Sequence, residues 1–186
     1  MPRGRKKIVR CSDDGTDELL SSWRRERPDL DLTVFLTGIV AMRIGRLVDQ
    51  SFSRQCRKGY DISAPDMRVL FALRRAGPPF TRRPTDLFRA LFVTSGAITK
   101  QVDRLEERAL VKRLPDPDYG GGFLVKLTPA GQAVVDRAAE DLAVNSLLCN
   151  ALEKFSAIER KEIEQQLTLL LRETERAFQS ETANLA

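Results

Sequence analysis

The sequence predicts a mainly α-helical fold carrying one small β-hairpin, and three stretches between Pro84 and Gly131 make that prediction. Two short helical segments follow each other closely, a glycine-rich turn separates two apolar strands, and a Thr-Pro pair opens a further helix.

The first helix starts at Pro84, where a missing N–H costs nothing, with Asp86 favouring the positive end of the helix dipole, and it runs to about Leu91. Phe92-Val93 makes a tight apolar connection, and Thr94 or Ser95 caps a second helix reaching about Ala109. On that helix Ile98, Val102 and Leu105 share one face, while Gly96, Lys100, Asp103 and Arg104 project from the other. Strand character at Val111 to Leu114, a turn from Pro115 to Gly122 and a second strand over Phe123 to Leu127 make the hairpin. Thr128 then caps a helix with Pro129 in its first position. Helix, helix, hairpin, helix is the order of a winged helix-turn-helix, a module that grips duplex DNA.

Outside this lobe the chain reads as helices. Residues 1–17 hold Arg3, Arg5, Lys6, Lys7 and Arg10 without periodicity and read as a basic tail that adds phosphate attraction. A short helix from about Glu18 carries Leu19, Leu20 and Trp23 and ends before Pro28; a long one spans Leu32 to Lys58. Ser63 to Asp66 opens the next, which ends near Gly77-Pro78-Pro79. Beyond the hairpin one helix from Pro129 to about Glu153 and another from Ser156 to about Phe178 carry many leucines. That is more apolar surface than two peripheral helices can hide. The divisions are therefore 18–60, the lobe at 61–131, the C-terminal helices at 132–180 and a tail at 181–186.

Composition excludes several functions. The 42% of hydrophobic residues can form a core, and a net charge of +5 suits an anionic partner. No membrane span or secretory signal is evident, which predicts a cytoplasmic location. Having no histidine removes Ser-His-Asp and Cys-His catalysis and histidine-ligated zinc, and no phosphate-loop pattern is present. No enzyme, metal or cofactor is expected. Cys11, Cys56 and Cys149 lack metal-site or disulfide spacing; only Cys56, beside Arg54, Arg57 and Lys58, has neighbours able to stabilise a redox-active thiolate.

The run from Ser95 to Glu106 (SGAITKQVDRLE), Leu110-Val111, Asp116-Pro117-Asp118 and Leu127-Thr128-Pro129-Ala130-Gly131 resembles the MarR family of transcriptional regulators. Trp23 to Asp31 and Leu73 to Pro79 are similar to a subgroup with an extra N-terminal helix, so the resemblance covers roughly Glu18 to Phe178. It implies a homodimer held by the N- and C-terminal helices, a pseudo-palindromic operator and repression relieved by a ligand. Ser95, Gly96, Thr99, Lys100 and Arg104 are the expected DNA contacts on the second helix, with Thr85, Arg89, Lys112 and Arg113 beside them. Arg104 reads equally as an ion-pair partner of Asp118 that braces the wing. The family usually carries arginine after the second wing aspartate; here Tyr119 and three glycines follow Asp118, so Tyr119, Lys126 or the N-terminal arm is left to compensate. The subgroup further implies a small aromatic or phenolic anion, urate in some members. Trp23, Arg46, Asp66 and Gln101 are the candidate ligand residues, although Trp23 also reads as a core anchor and Asp66 as a helix-start acid. Two alternatives are a winged-helix protein-interaction module without specific DNA binding and a cysteine redox sensor on the same scaffold.

Overall fold

The computed structural model describes residues 14–183, so the basic residues of the N-terminal tail and Cys11 lie outside the described residues. Eight helices and three strands are described: α1 (Asp14–Glu26), α2 (Thr33–Tyr60), α3 (Ala64–Arg74), β1 (Thr81–Arg82), α4 (Pro84–Leu91), α5 (Ser95–Glu107), β2 (Val111–Pro115), β3 (Phe123–Leu127), α6 (Pro129–Asn145), α7 (Leu147–Leu152) and α8 (Ala157–Ala183). They form two compact units that divide within α2, between Asp49 and Gln50.

In the first unit α1 starts four residues earlier than the sequence predicts, and Trp23 meets Phe35 edge to face, with ring centroids 4.9 Å apart. Leu32 and Leu36 are buried. The Trp23–Phe35 contact ties the short helix to the long one, with both rings still exposed, so Trp23 is not a buried core anchor.

The second unit is built around one apolar cluster. Met67, Leu70 and Leu73 of α3, Leu87 of α4, Ile98, Val102 and Leu105 of α5, Val125 of the sheet and Val135 of α6 are all essentially inaccessible to solvent. The predicted inner face of α5 is thus the buried one. Local chemistry starts α3, α5 and α6 as the sequence indicates: Ser63 Oγ accepts from the Asp66 N–H, Thr94 Oγ1 from Ala97 and Thr128 Oγ1 from Gly131. Thr94, not Ser95, is the cap of α5. Thr94→Ala is expected to cost about 1 kcal/mol in chemical denaturation, with an unchanged denaturant slope.

Three expectations are corrected. The hairpin is part of a three-stranded antiparallel sheet in the order β1-β3-β2, with Thr81 opposite Lys126 and Val111 opposite Leu127. The single helix expected from Pro129 to Glu153 is two, because Ser146 adopts extended backbone and its Oγ accepts from the Cys149 N–H, capping α7. Cys56 is 2% exposed, and burial pushes its thiol up to about 11, so the basic neighbours do not yield the thiolate that a sensor needs.

Candidate nucleic-acid interface

Helices α4 and α5 are joined by a turn in which Phe92 takes left-handed backbone (φ 53°), a costly conformation for a residue with a side chain. It lets the second helix leave the first within three residues, and both pack against α3 through Leu87, Ile98 and Val102. With Ile98, Gln101, Val102 and Leu105 turned inward, the opposite face of α5 is left to solvent.

On that outer face Ser95, Gly96, Thr99 and Lys100 are exposed. The Thr99 hydroxyl donates to the Ser95 carbonyl at 3.1 Å, while Lys100 makes no ion pair among the described residues. Thr85 and Arg89 are exposed on α4. On the wing, Lys112 lies directly opposite Lys126, and neither has an acidic partner among the described residues. Two like charges in register on one face repel unless an anion lies across them.

Three other charged side chains of this region, Asp103, Arg104 and Arg113, pair inside the lobe. Arg104 does not pair with Asp118, as the sequence reading allowed; its Nη2 and Nε donate to Asp66 at 2.5 and 3.0 Å, fastening α5 to α3. Asp66 is buried, so this fork satisfies a carboxylate that water does not reach. The Asp66 hydrogen bonds raise the Arg104 guanidinium above its ordinary value. Arg113 donates to Asp103 and Glu106 and lies over the Phe123 ring, 5.0 Å from its centroid, so it ties β2 to α5. Asp103 and Arg113 are thereby removed from the set of free charges.

The wing turn is held by a residue that sequence reasoning missed. Arg83, the residue before α4, donates from Nε to Asp116 Oδ2 at 2.6 Å and from Nη2 to Asp118 Oδ2 at 3.0 Å. Asp116 is held below the usual carboxylate range, chiefly by Arg83, and Arg83 is raised in return. The partners lie 33 and 35 positions apart in sequence, and no local signal announces them. Tyr119 is 70% exposed at the tip.

The four candidate ligand residues belong to different units. Trp23 and Arg46 are exposed in the first. In the second, Asp66 is engaged by Arg104, and Gln101 is buried with its Oε1 lacking a hydrogen-bond partner.

A helix pair on a common core, followed by a hairpin that completes a three-stranded sheet with β1, defines a winged helix-turn-helix protein. A sequence model described as the MarR family matches residues 60–120. The chain is 30% identical to the HTH-type transcriptional regulator PecS of Dickeya dadantii over 143 residues, which cover 77% of this chain and 84% of that protein. The crystal structure of apo MarR from Escherichia coli superposes with a TM-score of 0.63 at 29% identity, covering 72% of this chain and 95% of that one. A mutant of the same MarR complexed with operator DNA gives 0.61 at 28% identity, covering 75% and 96%. The chain belongs to the MarR family of transcriptional regulators.

Proposed function

We propose that this protein is a ligand-responsive repressor that binds a pseudo-palindromic operator as a homodimer in the cytoplasm. The observation that carries the DNA reading is the outer face of α5, where Ser95, Gly96, Thr99 and Lys100 stand exposed above a fully buried inner face. Lys100 is the proposed base-edge or groove-rim contact. Ser95 and the free N–H groups of the first turn hold phosphate. Arg104, half exposed while it grips Asp66, sets the placement of α5 and lines the groove rim. Thr85, Arg89, Lys112 and Lys126 supply backbone contacts, and Tyr119 takes the tip position. The MarR relative captured on operator DNA supports the same use of the lobe.

The dimer is supported by α8, where Leu167, Leu170 and Leu171 lie 43–57% exposed at helical spacing. A second copy of the chain would cover this stripe, with the lobe at 61–131 presented by the helices on either side of it in sequence. An aromatic or phenolic anion is the proposed effector, and Trp23, Arg46, Asp66 and Gln101 are the residues whose substitution alters the response. Such a ligand releases DNA only by favouring a lobe arrangement that binds it more tightly than the DNA-competent one does.

Lys100→Ala tests the DNA reading. It is expected to weaken binding to operator DNA by about 10- to 100-fold in fluorescence anisotropy, the scale of a lost base contact. Its thermal stability should match wild type, because the side chain is exposed and makes no ion pair within the lobe. Unchanged affinity would remove Lys100 from the interface.

A further inference from the structure

We infer that Arg83 is a positioning residue that orders the wing for DNA, acting through Asp116 and Asp118 and not by touching the duplex. The inference rests on the DNA-binding reading and assigns that site a part outside the recognition helix.

Three features of the geometry support it. First, the guanidinium spends one edge on the wing: Nε reaches Asp116 Oδ2 at 2.6 Å, while Nη2 reaches Asp116 Oδ1 at 3.1 Å and Asp118 Oδ2 at 3.0 Å. That planar fork is what arginine offers and lysine does not. Second, the Asp116 side chain is only 3% exposed. A carboxylate so covered takes its hydrogen bonds from the guanidinium lying over it, and removing Arg83 takes both away. Third, Asp116 organises the rest of the turn. Its Oδ1 accepts from the Asp118 N–H at 3.1 Å, and its own N–H donates to the Gly122 carbonyl at 3.2 Å. The Gly122 N–H in turn donates to Tyr119 at 2.9 Å. A side chain at Gly122 would meet the Tyr119 ring at 2.9 Å, so the ring lies over a bare glycine.

The way the contacts connect the elements points the same way. Arg83 lies across both carboxylates and holds the turn to the first residues of α4. The wing has no arginine of its own between Asp118 and Phe123, so this cation comes from the helix-turn-helix side.

The test compares wild type, Arg83→Lys and Arg83→Gln in the full chain, by salt-dependent binding to duplex DNA flanking its own coding sequence and by amide hydrogen exchange of the free protein. Lysine keeps the charge and loses the fork, so both variants are expected to weaken binding about tenfold while the slope of log affinity against log salt stays at the wild-type value. The Asp118 and Gly122 amides should exchange faster in both variants. Arg83→Lys binding like wild type, with Arg83→Gln lowering the slope by about one phosphate, would overturn the inference and make Arg83 a direct contact. Unchanged exchange, or faster exchange without loss of affinity, would also overturn it. Wild-type protein that shows no preference for this duplex over scrambled DNA counts against the DNA reading, and the exchange comparison still decides whether Arg83 orders the wing.

Discussion

Gly131→Ala is expected to lower the melting temperature by roughly 6–12 °C, the scale of about 3 kcal/mol in a chain of this size. A Cβ at this position would sit 2.0 Å from the Leu110 carbonyl oxygen and 2.9 Å from Leu127 Cδ1. The Leu110 oxygen is backbone and already engaged, accepting from the Thr128 N–H at 3.1 Å and the Thr128 hydroxyl at 3.0 Å. Moving it far enough to admit a methyl group breaks bonds worth about 1 kcal/mol each. It also shifts the start of α6 away from the strand end where Thr128 caps it. Alanine's better helix propensity returns at most about 1 kcal/mol, which does not offset the clash. Differential scanning calorimetry of the variant checks this, and a melting temperature within about 2 °C of wild type would show that the Leu110–Thr128 junction yields.

Ile98→Ala is expected to remove about 3 kcal/mol, within the usual range for emptying a buried aliphatic site, and to take DNA binding with it. Ile98 is 0% exposed and is the inward-facing residue nearest the start of α5. The cavity falls in the cluster shared by α3, α4 and α5, so the loss acts on the element that carries Lys100. Because total stabilities are about 5–15 kcal/mol, the variant should still fold at low temperature, with a reduced urea midpoint and an unchanged slope. Comparison with Lys100→Ala separates two routes to lost binding. Lys100→Ala should bind poorly with an unchanged melting temperature, whereas Ile98→Ala should melt early and bind poorly even where it is still folded, because the cavity loosens the seat of α5. Retention of both stability and binding by Ile98→Ala would show that α5 is not anchored through this cluster.

What the sequence revealed divides by distance along the chain. Pro84, Thr94, Thr128 and Pro129 act on backbone groups within one turn, so the starts of α4, α5 and α6 were legible from residue types alone. The buried face of α5 followed from the spacing of Ile98, Val102 and Leu105. The β1 strand did not, because Thr81 and Arg82 become a strand only by pairing with Lys126 and Val125, more than forty positions on. The break at Ser146 was hidden within a run whose apolar periodicity continues across it, while the serine caps locally. The charged residues were the least legible. Arg104 finds Asp66 across 38 positions, and Arg83 finds Asp116 across 33. Such pairings are set by the packing of α3, α4, α5 and the wing, so no short window of sequence contains both partners.

On the proposed function, α5 and the wing read a particular DNA sequence. The most direct measurement is the affinity of the purified protein for duplex DNA beside its own coding sequence and for a scrambled duplex of the same composition, across a salt series. A preference of about 10³-fold or more is expected at physiological salt, with the specific complex less steeply dependent on salt than the nonspecific one. Equal affinity for both duplexes, falling with the same steep salt slope, would mean that charge alone holds the DNA and would contradict the account.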